Sequence, residues 1–494
     1  MRPDTKANTS SLIRSLPHWA GFASGILLLF LLWYPFTHIH WPVIYDEGVY
    51  IGLSRTMSDS GLPIREDFPE DQIMVTHPPL VYGANGLAQK IFGQDVFTIR
   101  TIHIFLFTLP TIGLIAIVAY FYGGVLALFF ALLALLGHGH FLLESHNLTL
   151  NFPLGGFSLL ALWAFSLSCE KDNRARRQLL VLAFFFLALV KFQAIAVVGA
   201  LLIWAFGVYS RESLKGIQPL KKHLFLSCLA FFLAALVALA YFLTAAPEAM
   251  IQKFSEQFDR LNSEQANLID TLKRIRWISL QSFKTLDPSI IGALFVVLVF
   301  IRPRSRFTTI SLCFVFSTLL FNLLVMRLPG AGTYYLYALI PTICVVIGTE
   351  IAKGLREISK RKTSYLLIIL LVMKLWLDLP PLHFQVSYPQ VEEKTVGEFI
   401  QENPLGAGGI LTTSPSVGAY AQRRVALYQY FSDELFLMGL NNEFEQPIDY
   451  LVTGKDDWES IKKRPEGESI TNLVATKFIA VKTTPRYTVY QRRP

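Results

Sequence analysis

Charge is the first thing this sequence has little of. Only 16% of its 494 residues are Asp, Glu, Lys or Arg, against 53% apolar, and the mean hydropathy is +0.44. A soluble chain of this length needs charge to cover its surface, so the balance excludes a soluble protein and assigns most of the chain to lipid. Cysteine is scarce too. Cys169, Cys228, Cys313 and Cys344 fall in or beside apolar runs on the membrane or cytoplasmic side, which excludes a disulfide framework. No internal repeat or low-complexity tract is visible, and this weighs against transporter folds built from repeats. Small residues are missing after the first apolar stretch, 20–39, where Trp41-Pro42-Val43 stands instead of a cleavage site. That stretch is expected to be a retained signal anchor.

What is present is a series of apolar runs at 20–39, 101–122, 124–141, 152–168, 179–190, 194–209, 223–245, 288–301, 307–326, 333–350 and 364–380. The stretch 179–209 is too long for one span and is broken at Lys191-Phe192-Gln193, so it divides into two helices. The net charge of +8 comes from Lys and Arg in short tracts between runs rather than on one basic face, which argues against a nucleic-acid partner. Alternate connections carry those tracts, which puts the N-terminus in the cytoplasm. The expected architecture is an α-helical polytopic membrane protein of about 11 helices over residues 1–380, in the plasma (inner) membrane. Residues 381–494 have the texture of a small C-terminal extracytoplasmic α/β domain. A helix is expected at 391–402, with strands at Gly409–Thr412, Asp449–Val452, Phe478–Val481 and Tyr487–Tyr490.

Two outer connections are long. The first, 40–99, carries eight acids (Asp46, Glu47, Asp59, Glu66, Asp67, Glu70, Asp71, Asp95) against three bases, Arg55, Arg65 and Lys90. Its segments 46–59 and 79–92 have helical spacing. The second, 246–287, holds an apolar stripe from Ile251 to Ile275 that suits a helix in the interface plane.

The strongest chemical signal is Tyr45-Asp46-Glu47-Gly48-Val49-Tyr50, just outside the first helix. Paired carboxylates there can take a proton from a hydroxyl or bind a divalent cation, and the same pair would also serve as a helix cap and first-turn acid. In Thr76-His77-Pro78-Pro79-Leu80 the prolines fix a turn that holds His77, as a phosphate or proton group or as a plain turn residue.

These two elements, in this order and spacing, resemble the GT-C membrane glycosyltransferases. The likeness is to the branch that includes protein O-mannosyltransferases and lipid A aminoarabinose transferases, which take sugars from a polyprenyl-phosphate carrier. The resemblance continues in Glu144-Ser145-His146-Asn147-Leu148-Thr149-Leu150-Asn151-Phe152-Pro153-Leu154, although Asn151 stands where the family has an acid. Glu144, in the same loop, is the carboxylate that would replace it, or a solvated loop acid. Lys191 resembles the family's lysine at the outer end of a short helix, where an ammonium pairs with phosphate or snorkels to the interface. Arg327, Tyr334 and Tyr335 resemble a Tyr-rich outer helix end, and Arg274 and Arg276 are less specific phosphate contacts.

The resemblance implies inverting transfer of a sugar from a polyprenyl-phosphate donor to a lipid, glycan or protein acceptor, with membrane lipids around the donor. Asp46 would be the base or acceptor-orienting carboxylate and Glu47 its neighbour or a cation ligand; His77, Lys191 and Arg327 would attend the phosphate. Two rivals stand beside this reading. One is a noncatalytic GT-C-like protein that binds lipid-linked sugar or acts as a scaffold, kept open by Asn151. The other is a transporter or flippase, disfavoured because the candidate charges sit at the surface and not deep within several helices.

Overall fold

The structure, a computed structural model, describes residues 6–65, 72–73, 78–209, 218–248, 250–251, 255, 305–325, 334–357, 361–378, 388–428, 432–444 and 446–494. The chain opens with α1 (Lys6–Thr37), α2 (Tyr45–Ser60), a short antiparallel ladder of β1 (Ile64–Arg65) and β2 (Gln72–Ile73), α3 (Leu80–Phe92) and α4 (Val96–His103). A π turn leads from α4 into α5 (Leu109–Leu136), and α6 (Gly139–Leu143), α7 (Asn151–Glu170), α8 (Arg174–Ala188), α9 (Ile195–Tyr209) and α10 (Gln218–Ala245) follow. Further along come α11 (Arg306–Val325), α12 (Ile340–Arg356) and α13 (Arg361–Asp378).

Helices occupy ten of the eleven apolar runs, and the remaining run, 288–301, lies outside the described residues. Five helical segments among the described residues are long and apolar enough to cross a membrane. One of them, Val96–Leu136, holds the run at 101–122 and most of the run at 124–141. Gly124 breaks it with φ 65° and ψ −158°, a conformation that side chains with a Cβ disfavour. The second expected break is also present, since α8 ends at Ala188, a turn carries Lys191, and α9 starts at Ile195. The run at 333–350 differs. It opens with a 3₁₀ turn, Tyr334–Leu339, and the α-helix begins only at Ile340, because Pro341 fits the first helical turn where no N–H partner is lost.

Trp19, Phe22, Leu29, Phe206, Leu236 and Ile369 point away from the core, as lipid-facing side chains of a multi-pass membrane protein do, whereas α12 is buried nearly all round. Lipid supplies no hydrophobic drive for helix association, so close van der Waals contact must. Gly348 of α12 meets this need, for a Cβ there would stand 2.4 Å from the Ala127 carbonyl oxygen and 2.8 Å from the Ala131 Cβ on α5.

The C-terminal unit contains α14 (Tyr388–Glu402), β3 (Gly409–Thr412), α15 (Pro415–Ala421), β4 (Val425–Leu427), α16 (Asp433–Asn441), β5 (Ile448–Gly454), α17 (Lys455–Lys462), α18 (Gly467–Lys477), β6 (Phe478–Thr483) and β7 (Tyr487–Arg492). Its sheet runs in the order β4-β3-β5-β7-β6, parallel over the first three strands and antiparallel over the rest. Apolar side chains fill both faces. The unit docks on the first loop through Val43, Ile51, Val96, Ile99, Leu148, Ala419 and Tyr420.

Candidate active site

The helix α2 starts after Ile44, whose extended backbone forms the N-cap without a side-chain bond. Asp46 is therefore not the cap. It lies with Glu47 in the first turn, where both charges oppose the positive end of the helix dipole. Successive helical residues point roughly 100° apart, so the two carboxylates diverge.

Glu47 turns inward and is fully buried. Arg100, at the head of the long apolar stretch and also fully buried, grips it with two bonds, Nε to Oε1 at 2.8 Å and Nη2 to Oε2 at 2.6 Å. The Leu148 N–H donates to Oε1 at 3.1 Å. Arg100 sends its other N–H groups to the carbonyls of Ile39 (2.8 Å), Trp41 and Pro42 (3.3 Å). All five of its donors are thus used, and Glu47 is the hub joining the segment after α1, the last turn of α4 and the loop before α7. The sequence pairs Glu47 with Asp46; the fold turns its oxygens to Arg100 and Leu148, which take three of the four lone-pair positions of the carboxylate.

Asp46 is exposed. Its charge acts on Glu144 and Lys191, which places three of the expected residues in one group. Lys191 is 5% exposed, and the bond from the Leu80 N–H to the Leu189 carbonyl, 3.2 Å, ties its turn to the start of α3. Burial lowers the Lys191 ammonium to about 7, with Asp46 pulling the other way. Burial raises Glu144 to about 7; the Asn151 bond opposes this rise and the Asp46 charge adds to it. Asn151 Nδ2 donates to Glu144 Oε2 at 2.8 Å. An acid at position 151 would set two carboxylates against each other at that distance, so the amide here and the carboxylate at 144 are complementary.

The loop between Glu144 and Asn151 is rich in polar groups. Ser145 Oγ, His146 Nδ1, Asn147 Oδ1 and Thr149 Oγ1 are buried without a protein partner. Buried polar atoms are costly without a partner, so four in one loop beside the carboxylates mark a place where water or a hydroxylated ligand completes the bonding. Burial holds the His146 imidazole well below its ordinary value, and Arg100 and His38 add to that shift. Its ring lies 5.7 Å from Trp41 and 5.8 Å from His38.

His77, Arg274, Arg276 and Arg327 lie outside the described residues, as do all but Ile251 and Ser255 of the amphipathic stripe segment 251–276. Tyr334 and Tyr335 open the 3₁₀ turn before α12, and only their backbone is described. Among the described residues no three His, Cys, Asp or Glu side chains gather to hold a metal. Sequence reasoning missed Arg100 and Tyr420. An arginine at the edge of an apolar run is a usable signal, because a charge there needs a partner. Tyr420, whose hydroxyl accepts the Val43 N–H at 2.7 Å, carries no signal in its surroundings.

The profile of the dolichyl-phosphate-mannose-protein mannosyltransferase family matches residues 76–242, a segment that contains Glu144, Asn151 and Lys191. No curated protein matches the chain by sequence. Solved structures match over nearly its whole length. ArnT from Cupriavidus metallidurans bound to undecaprenyl phosphate is 16% identical, with a TM-score of 0.62 over 96% of this chain and 98% of that one. The oligosaccharyltransferase AglB of Archaeoglobus fulgidus, in complex with an inhibitory peptide and a dolichol-phosphate, is 12% identical, with a TM-score of 0.56 over 97% of this chain and 75% of that one. The mycobacterial arabinofuranosyltransferase AftD is 13% identical, with a TM-score of 0.51 over 96% of this chain and 41% of that one. The helical frame agrees with these matches: this chain is a multi-pass membrane protein with the GT-C glycosyltransferase fold.

Proposed function

We propose that the chain transfers a sugar from a polyprenyl-phosphate donor to a hydroxyl of a lipid, glycan or protein acceptor, by a single inverting displacement. The observation that carries this reading is the division of labour in the first turn of α2. Glu47 is locked to Arg100, while Asp46 is exposed and faces Lys191 and Glu144. Asp46 accepts the proton of the acceptor hydroxyl, the freed oxygen attacks the anomeric carbon, and the bond from that carbon to the phosphate oxygen breaks with its electron pair leaving on the carrier phosphate. Lys191, as an ammonium, offsets the charge on the departing phosphate.

The membrane arrangement belongs to the same proposal. About eleven helices carry the N-terminus in the cytoplasm of the plasma membrane, and the C-terminal α/β domain lies outside, so that the carrier enters from lipid and the acceptor from water. The unpartnered polar atoms of Ser145, His146, Asn147 and Thr149 suit the hydroxyls of a sugar. A noncatalytic lipid-linked-sugar binding protein is the second reading, and Asn151 in place of an acid favours it.

Transfer of radiolabelled sugar to an extracted envelope acceptor, measured on the reconstituted chain, separates the two. Asp46→Asn is expected to cut the rate roughly 100-fold or more, the scale of a lost general base, while binding of polyprenyl phosphate persists. An Asp46→Asn variant that transfers at the parent rate refutes the role of Asp46, and a parent chain that binds the carrier but transfers nothing establishes the noncatalytic reading.

A further inference from the structure

A cavity of about 240 Å3 lies between the first loop and the C-terminal unit, with Arg100 in its wall. Its walls differ in chemistry. On one side stand Trp41 and the rings of His40 and Phe97, which stack at 5.0 Å with only 12° between their planes. On the other is a face of α14, where Lys394, Glu398 and Gln401 recur at helical spacing, and then Gln422.

The charges around this cavity offer little to an anion. Arg100 is committed to Glu47 and three carbonyls, Lys394 lies 3.8 Å from Glu398, and Asp95 accepts the Thr98 N–H at 2.9 Å as the cap of α4. Arg100 has no donor left for a phosphate or carboxylate ligand, Lys394 is shared with Glu398, and the carboxylates of Asp95 and Glu398 would repel such an anion. The amides of Gln401 and Gln422 offer donor and acceptor together, which is the complement of hydroxyl groups. Gln422 is held in the left-handed region at φ 52° and ψ 38°, an uncommon state for a residue with a Cβ, at the end of α15. Flat rings and amides lining one cavity suit the C–H face and hydroxyl edge of a sugar ring. The volume, below the roughly 300–1,000 Å3 of drug-sized ligand sites, fits one or two such rings.

We propose that this cavity is a neutral-saccharide subsite that holds a glycan acceptor away from its reacting hydroxyl. Trp41 joins it to the Asp46 region, since the indole lines the cavity and also meets His146, two residues after Glu144. The acceptor assignment rests on the transfer reading, but saccharide binding does not. The rigid anchoring of residues 39–42 by Arg100 and of Val43 by Tyr420 shapes the wall before any ligand arrives.

The test is saturation-transfer NMR on the full chain in lipid nanodiscs. The probes are the methyl glycosides of glucose, galactose, mannose and N-acetylglucosamine, with inorganic phosphate and a blocked threonine tripeptide as competing classes. At least one glycoside is expected to receive saturation, and Phe97→Ala and Gln422→Gly are each expected to weaken its binding roughly fivefold or more, the scale of one lost neutral contact. Gln422→Gly suits the left-handed backbone and Phe97 is partly exposed, so both variants are expected to fold. Silence from every glycoside, preference for phosphate or the peptide, or glycoside binding indifferent to both variants overturns the proposal. Glycoside binding in a chain that transfers no sugar sinks the transfer reading and leaves the subsite standing.

Discussion

Lys191 and Glu144 face the same exposed carboxylate, and burial brings both to about 7 from opposite directions. The signs differ. Lys191 has its folded value below the ordinary lysine range, so between about 7 and that range the folded chain holds fewer protons than the unfolded one, and stability rises with pH. Glu144 has its value raised, so its contribution is complete below the ordinary carboxylate range and is lost as pH climbs to about 7. Together they give a shallow minimum in thermal stability near neutrality, and Glu144→Gln should abolish the acid-side slope. Above neutrality, where the carrier phosphate is already ionised, the pH dependence of its binding follows Lys191. Affinity for polyprenyl phosphate is expected to fall as pH rises above about 7, with a bound phosphate moving the midpoint upward, and Lys191→Arg should flatten the profile because guanidinium keeps its charge. A profile that stays steep in Lys191→Arg would remove Lys191 from the phosphate side. Short motifs name Asp46, Glu144 and Lys191 one at a time, and the fold sets them in one another's field; their roles belong to the proposal. The opposite fates of Asp46 and Glu47 were not legible, since they depend on Arg100, which is far along the chain.

Helices were the legible elements. Their apolar runs are long, the kink is marked by Gly124, and a lysine stands in the break between α8 and α9. The helices of the first loop, the helix at the start of the C-terminal unit and four of its strands also follow from pattern. The strand β4 escapes it, because three residues cannot show alternation and its stability comes from pairing Ile410 with Val425 and Thr412 with Leu427. Docking of α15 on α2 was equally hidden. Its signature is Gly48, inside the acidic motif, where a Cβ would stand 2.8 Å from the Pro415 carbonyl carbon and the Ser416 nitrogen. Those are backbone atoms and cannot swing aside. Gly48→Val is therefore expected to cost about 1–3 kcal/mol of overpacking and to raise protease sensitivity of the C-terminal unit. Unchanged proteolysis and melting would show that this contact yields freely.

At the scale of the whole molecule, one buried ion pair joins segments that the sequence keeps apart. Glu47 and Arg100 bind each other, residues 39–42 hang on Arg100, Leu148 hangs on Glu47, and Tyr420 of the C-terminal unit holds Val43 beside them. The exposed carboxylate next door takes its position from this assembly. Neutralising one member leaves the other charge buried and uncompensated, so Glu47→Gln should lose about 3–5 kcal/mol of stability. Asp46→Asn, the same chemical change one residue earlier, should stay within about 0.5 kcal/mol because Asp46 is exposed. Melting and transfer measured on both variants therefore cross over: Asp46→Asn folds and does not transfer, whereas Glu47→Gln fails to reach the folded yield of the parent. If Glu47→Gln melts with the parent and still loses transfer, the chemistry belongs to Glu47, and the buried pair is catalytic machinery rather than the frame that holds Asp46.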